Sequence, residues 1–119
     1  MEIVSFEIAK KLKEKGFNED CYTVYNTATM RIERSLTTWE GYKGVILAPT
    51  ISQVLKWLRK KKNIFVVTFI ADDSDTPLTY EIYMGTECLL THHGKYFTLQ
   101  EWDKCNLVGI EDVIDNNLI

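Results

Sequence analysis

The sequence predicts a single α+β domain with the element order α-ββ-α-ββ-α over residues 1–119. Two observations indicate helices: an N-cap serine followed by an apolar stripe near the start, and two capping boxes later in the chain. A third indicates a sheet, because the run Ile64–Ala71 is apolar on both faces, as in a central strand covered on both sides. We therefore expect a four-stranded, mostly antiparallel sheet with packed helices.

Length and composition favour an ordinary globular chain. A length of 119 residues suits one domain, and 45% hydrophobic with 26% charged residues allows a core without a metal or disulfide. The net charge of −3 is too small to draw the whole molecule to nucleic acid or to an anionic membrane. We expect no membrane segment, and the odd number of cysteines without an export signal predicts reduced thiols in the cytoplasm.

The first helix is predicted from Ser5 to about Lys15. Ser5 is a favourable N-cap residue, and Gly16 follows the helix where a left-handed residue is wanted. The buried stripe is formed by apolar residues at helical spacing, which are Phe6, Ile8, Ala9 and Leu12.

The next region predicts a hairpin. Cys21–Tyr25 and Met30–Arg34 both alternate between apolar and polar positions, which is typical of strands with one wetter face. Residues 35–48 show no clear periodicity, and we expect an irregular loop there.

The second helix is predicted to begin after Pro49. Thr50 and Gln53 form a capping box, and the helix ends in the basic run Arg59–Lys62 with Asn63 after it. Ile64–Ala71 then forms a strand that turns through an aspartate-rich loop and returns as Tyr80–Met84, which makes a second hairpin.

The last third predicts a small hairpin and a helix. Glu87–Thr91 and Tyr96–Phe97 are expected to pair with each other. Thr98 and Glu101 then form a capping box that begins a helix running to the C-terminal end, in which Gly109 costs about 1 kcal/mol relative to alanine.

Several segments resemble small proteins of Bacteroides-type gut bacteria and their phages, a group to which no activity is assigned. The resemblance lies in four short stretches of the chain, which are Lys11–Phe17, Cys21–Tyr25, Ala48–Thr50 and Trp57–Arg59. Val108-Gly109-Ile110 is similar to an Ala-Gly-Ile step in those proteins, whereas Trp102, Cys105 and Asn106 depart from their usual pattern. The resemblance implies a mobile-element origin and a cytoplasmic setting, and it transfers no site.

No catalytic residue and no cofactor is expected, because the sequence contains no phosphate loop, nucleophile elbow or recognisable carboxylate pair. Cys88, His92 and His93 lie close together and could bind zinc or act in an enzyme. A second pair of ligands at suitable spacing is missing, so a turn with buried cysteines is the preferred interpretation. Metal or enzyme activity around these residues stays one alternative.

The basic cluster gives a second alternative. Arg59, Lys60, Lys61 and Lys62 are adjacent and could hold phosphate groups, as in a nucleic-acid-binding accessory protein. A structural cause is also available, because cations at the C-terminal end of a helix interact favourably with its dipole.

The preferred hypothesis is a non-enzymatic module that binds another protein or a second copy of itself. If Tyr80 and Ile82 face the helices, Tyr83 faces away, together with one apolar set of the neighbouring strand. Either the last helix covers that second face or another chain does. The residues assigned to this candidate interaction surface are Tyr25, Phe65, Val67, Phe69 and Tyr83.

Overall fold

A computed structural model describes residues 2–34, 44–90 and 95–119, without the side chain of Leu90. The contacts divide the chain into two compact units, Met1–Gln53 and Val54–Ile119, here called the N-terminal and C-terminal units. The single domain therefore stays a prediction. The elements are α1 Phe6–Glu14, β1 Thr23–Asn26, β2 Ile32–Arg34, β3 Val45–Leu47, α2 Ile51–Lys62, β4 Ile64–Ile70, β5 Leu78–Met84, β6 Glu87–Leu90, a 3-10 turn at Leu99–Glu101, and α3 Trp102–Asp115.

The first helix agrees with its sequence signals. The Ser5 hydroxyl accepts a hydrogen bond from the amide of Ile8 at 3.3 Å, which satisfies one of the unpaired donors at the start of α1. Ile8 and Leu12 are buried, and Gly16 follows the helix with a φ of +90°, a conformation that costs glycine little. Ser5 as the N-cap and Gly16 as the terminator are both confirmed.

The N-terminal sheet has three antiparallel strands in the order β2-β1-β3. β1 pairs with β2 as predicted, and on its other side Val24 lies opposite Leu47 of β3. The prediction of an irregular loop is wrong for Val45–Leu47, while residues 35–43 lie outside the described residues. A strand of only three residues is too short to show an alternating pattern, so only its pairing reveals it.

The capping box of α2 is confirmed. The amide of Thr50 donates to the Gln53 side-chain oxygen at 2.9 Å, and the amide of Gln53 donates to the Thr50 hydroxyl at 3.1 Å. The helix ends with the basic run, and Asn63 follows it with a φ of 56°.

The C-terminal sheet also has three antiparallel strands, in the order β4-β5-β6. The prediction of one four-stranded sheet is therefore wrong, because each of the first two predicted hairpins gains a third strand and the two remain separate sheets among the described residues. The predicted pairing of Glu87–Thr91 with Tyr96–Phe97 is wrong as well. β6 pairs with β5, and Phe97 forms a bridge with Leu78 instead.

The doubly apolar strand β4 lies at an edge of its sheet, not at the centre. β5 is the central strand, and within the described ranges no strand lies on the other side of β4. The prediction of a central position is wrong because a run that is apolar on both faces shows that both faces avoid water, but it does not show how many strands flank it.

The last helix begins through a 3-10 turn, and it ends at Asp115, four residues before the predicted end at Ile119. The amide of Thr98 donates to the Glu101 carboxylate at 2.9 Å, as the capping box requires. α3 packs on β4 and β5, and its residues Cys105, Ile110 and Val113 are fully buried. Nowhere in the described ranges does a helix combine the length and the apolar character needed to cross a membrane.

Candidate functional site

One face of the C-terminal sheet is closed by α3. An alanine in place of Gly109 would put its Cβ 2.5 Å from Cγ1 of Val66 and 3.4 Å from the ring of Tyr80, so the helix backbone lies directly on these two side chains. Next to this contact the Thr68 hydroxyl donates to the Asn106 side-chain oxygen at 2.7 Å. The even-numbered residues Val66 and Thr68 of β4 therefore face the helix.

A polar network lies at the end of the same interface. The buried Tyr80 hydroxyl donates to the Asp112 carboxylate, which also accepts a hydrogen bond from Lys95 at 3.1 Å. Burial first, and the neighbouring carboxylate second, hold the pKa of Tyr80 well above its usual value. An open depression beside Lys95 and Asp112 has a volume of about 570 Å³. Its two central charges already neutralise each other, so the network is a structural contact between α3 and the sheet.

The opposite face of the sheet carries the odd-numbered residues of β4. Phe65 lies opposite Tyr83 on β5, and Val67 lies opposite Glu81. Val67 is 41% exposed, and the aromatic residues beside it are half-buried. We call the set Phe65, Val67, Phe69 and Tyr83 the outer face; the sequence left open which apolar set would occupy it, and the position of α3 decides for this one.

Tyr25 does not belong to the outer face. It is buried in the N-terminal unit, where its hydroxyl donates to the carbonyl of Val4 at 2.6 Å and its ring meets Phe6 edge to face. Four of the five residues assigned to the candidate surface are brought together, and the fifth is a core residue.

The hydrogen-bond pattern defines which backbone groups of β4 point outward. Asn63 and Ala71 flank β4, and they bond to the residues that flank β5: the amide of Gly85 donates to the carbonyl of Asn63, and the amide of Ala71 donates to the carbonyl of Pro77. Antiparallel ladders alternate, and the β4–β5 register is unbroken, so the odd-numbered residues of β4 bond to β5. The amides and carbonyls of the even-numbered residues point to the other side. Ile64 is fully buried, so these groups of Val66, Thr68 and Ile70 are called the open edge.

The open edge lacks the usual devices that prevent pairing with another strand. The seven residues of β4 include no charged residue and no proline, and the pairing of β4 with β5 shows no bulge. Ile70 is 61% exposed at one end of it. Sequence reasoning found the apolar character of this strand but missed its edge position.

The basic cluster Arg59–Lys62 lies immediately before β4, in the last turn of α2. Lys62 stands over the Trp57 ring at 5.5 Å from its centroid, while Arg59, Lys60 and Lys61 are exposed. The location at a helix C-terminus supplies the dipole interaction that the sequence suggested.

An acidic turn follows the other end of β4. It contains Asp72, Asp73 and Asp75, and all three are exposed. Asp72 accepts a hydrogen bond from the Ser74 amide at 2.9 Å, and its bonds to Ser74 lower the pKa of this carboxyl. The open edge therefore lies between the basic cluster and the acidic turn. The order of these segments in the sequence already contains this arrangement, but it was not among the predictions from the sequence.

Cys88 lies on β6 opposite Tyr83 and is exposed. His92 and His93 lie outside the described residues, so metal or enzyme activity around these three residues stays a prediction. In the part of the chain that the structure describes, no three histidine, cysteine or acidic side chains are grouped to hold a metal ion.

Comparison of the chain with protein-family models, with curated proteins and with solved structures gives no match, so the resemblance to proteins of gut bacteria and phages stays a prediction.

Proposed function

We propose that the protein is a non-enzymatic interaction module that binds another protein chain through the outer face and the open edge of its C-terminal sheet. One observation carries the proposal: a seven-residue edge strand without charge or proline presents its backbone groups beside an aromatic surface.

The two parts of this surface contribute different kinds of interaction. Backbone groups at the open edge can form a ladder of hydrogen bonds with an added strand. Many domains bind an extended segment in this way. Phenylalanine and tyrosine on the outer face add buried area, and they lose little side-chain entropy because each has two rotatable bonds. Because Val67 lies in the middle of β4, a strand added there would run beside the outer face along its full length.

We place this module in the cytoplasm. All three cysteines carry thiols, and Cys21 and Cys88 are not fully buried, which suits a reducing compartment. A phage or mobile-element origin is supported only by the resemblance of the sequence segments described above.

Site-specific photocrosslinking tests the proposal. A benzophenone amino acid is placed at Val67, which is 41% exposed, and at Leu99, which is an apolar control 53% exposed in the 3-10 turn. In cells of the source organism we expect one discrete protein adduct from position 67 and none from position 99. A Phe69→Lys change in the same chain should remove the adduct, because a charge on the outer face opposes apolar contact.

Adducts of equal yield from both positions, or none from position 67, would contradict the proposal. The comparison of two apolar positions separates a specific surface from general stickiness, since Leu99 is the more exposed of the two.

A further inference from the structure

We infer that the open edge binds a second copy of this chain, with β4 paired antiparallel to β4 about a two-fold axis between the two Val67 residues. The inference rests on the proposed function and names its partner. Three independent features of β4 support it: its hydrogen-bond register, its side-chain pattern and the charges at its ends.

The register of the open edge fits this pairing. An axis at Val67 puts Val66 opposite Thr68 of the second copy, and Thr68 opposite Val66 of the second copy. These are the residues whose amides and carbonyls point away from β5, so they become the hydrogen-bonded pairs of the new ladder. Moving the axis by half a residue would bring outward-pointing groups opposite groups already used by β5. An axis at Val67 therefore satisfies the outward-pointing backbone groups of Val66 and Thr68 in both copies.

The side chains of β4 also complement themselves. The strand reads Ile-Phe-Val-Val-Thr-Phe-Ile, which is nearly the same in both directions from Val67. Phe65 then lies opposite Phe69 of the second copy on the outer face, in a non-hydrogen-bonded pair whose Cα atoms are about 4.5 Å apart. Such pairs bring side chains into close contact, and aromatic pairs are favourable there.

Charge selects both the partner and the direction. The basic cluster precedes β4 and the acidic turn follows it, so antiparallel pairing places each copy's cations near the other copy's aspartates. Parallel pairing would place like charges together. A net charge of −3 would otherwise oppose association of two copies, so this local complementarity matters. The arrangement extends the C-terminal sheet across the axis, with both α3 helices on one side and both outer faces on the other.

A reciprocal charge swap tests the inference. One variant carries Lys60→Glu and Lys61→Glu, and the other carries Asp73→Lys and Asp75→Lys; all four side chains are exposed, so both chains should fold. Each variant alone brings like charges together in the pair, and we expect its dimer dissociation constant to rise at least about tenfold at about 50 mM salt. Mixed together, the two variants have complementary charges at both ends of β4. The mixture should form a one-to-one dimer as tight as the wild-type dimer or tighter, measured by sedimentation velocity.

Val67→Lys is the second test, because it places two lysines opposite each other on the axis. We expect a monomer with an unchanged circular dichroism spectrum, since Val67 is already 41% exposed. Ile32→Lys is the matched control: Ile32 is 46% exposed on β2, an edge strand of the other sheet, and its change should leave the dimer intact.

A wild-type chain that sediments as a monomer at all concentrations up to about 1 mM would overturn the inference, since a weaker contact lies outside specific association. Association lost in the Lys60→Glu, Lys61→Glu variant and not restored in the mixture would also overturn it, and oligonucleotide binding lost in the same variant would assign the cluster to nucleic acid. The crosslinking experiment separates the two proposals. An adduct at position 67 with a different protein, on a monomeric chain, retains the interaction module and rejects self-pairing, whereas no adduct at that position rejects both.

Discussion

β2 and β4, one edge strand from each sheet, differ in length, charge and exposure. β2 has three residues, all exposed, and two of them are Glu33 and Arg34. β4 has seven residues, none of them charged, and the side chains along it are mostly half-buried. Charged and short edges resist pairing with other chains, whereas long apolar edges favour it. The comparison indicates that the N-terminal sheet is protected from such pairing on its β2 side, while the C-terminal sheet lacks this protection on its β4 side.

The central strands are built alike. β1 and β5 each contain a fully buried aliphatic residue, Val24 and Ile82, and each contains a buried tyrosine with a hydrogen-bonded hydroxyl. The acceptors differ, because Tyr25 bonds to a neutral carbonyl and Tyr80 bonds to a carboxylate. The two sheets should therefore differ most in the burial and charge of their edge strands, and less in those of their central strands.

The largest difference in stability is expected between two isoleucine truncations, one in a central strand and one in an edge strand. Ile82→Ala on β5 should lower the free energy of unfolding by about 2–5 kcal/mol, because Ile82 is fully buried and its loss leaves a cavity. Ile32→Ala on β2, at a position 46% exposed, should change it by less than about 0.5 kcal/mol. Urea unfolding of the two variants at equal protein concentration measures both. Equal losses would show that β2 is covered and would break the comparison.

Removal of the hydroxyl from each buried tyrosine should give the next largest difference in stability. Tyr80→Phe removes a hydrogen bond to a carboxylate and should cost about 1.5–3 kcal/mol, while Tyr25→Phe removes one to a backbone carbonyl and should cost about 0.5–1.5 kcal/mol. Each change keeps the ring, so packing is retained and the hydroxyl alone is tested. A smaller loss for Tyr80→Phe than for Tyr25→Phe would show that Lys95 alone satisfies Asp112.

Alkaline pH should separate these variants further. The pKa of Tyr80 is raised in the folded chain by burial and by Asp112, so the folded state favours the neutral phenol. Its contribution is fully present below the unfolded pKa of 10.0 and is lost as the pH rises through the folded pKa. Between pH 10 and 11 the wild type should lose about 1 kcal/mol more stability than Tyr80→Phe, measured by urea unfolding at both values. Parallel pH curves would contradict the burial of this hydroxyl.

The sequence predicted local structure better than pairing. Ser5, Thr50 and Thr98 act within a few residues of themselves, so each cap is legible from its own segment. β3 pairs with β1 from an earlier part of the chain, whereas β6 pairs with β5 directly before it. Their three and four residues carry too short a pattern to predict those partners. The same limit explains the error in sheet size: β3 was not predicted as a strand, and the predicted strand at Glu87–Thr91 was assigned to Tyr96–Phe97 and not to β5.

The candidate site divides in the same way. Four of its residues could be found because alternation along β4 and β5 puts them on one face. Tyr25 could not be excluded, because an alternating hairpin does not show which of its faces meets α1, and its ring in fact lies against Phe6. The open edge needed the strand order, which nothing in the local sequence specifies.

Replacement of Gly109 by alanine should have a smaller effect on stability, and the sign of this effect depends on Val66. Alanine at this position gains about 1 kcal/mol of helix propensity, but its Cβ would lie 2.5 Å from Cγ1 of the stiff Val66 side chain. Overpacking of this kind costs about 1–3 kcal/mol, so Gly109→Ala should destabilise the wild type by up to about 2 kcal/mol.

Removal of the Val66 methyl groups reverses that sign. In a Val66→Ala background the close contact is absent, and Gly109→Ala should stabilise the chain by up to about 1 kcal/mol through propensity alone. Thermal unfolding of the four chains in this cycle gives the coupling directly. A stabilising Gly109→Ala in the wild type would show that α3 does not lie directly on the sheet, and the assignment of the outer face would fail with it.

The alkylation rates of the three cysteines should show whether a partner covers the open edge alone or the outer face as well. Burial, with Asp20 and Glu19 beside it, raises the pKa of the Cys21 thiol to about 11, so at pH 8 only about one in a thousand of these groups is the reactive thiolate. Cys105 is fully buried, and burial raises its pKa as well. The exposed Cys88 should therefore be alkylated first, Cys21 next and Cys105 last, as timed peptide mass spectrometry would show.

Cys88 shares the outer face with Tyr83 but lies two strands from the open edge, so pairing through β4 leaves it reactive. Protection of Cys88 in the native chain, lost in Val67→Lys, would mean that a partner covers the outer face itself and reaches beyond the edge.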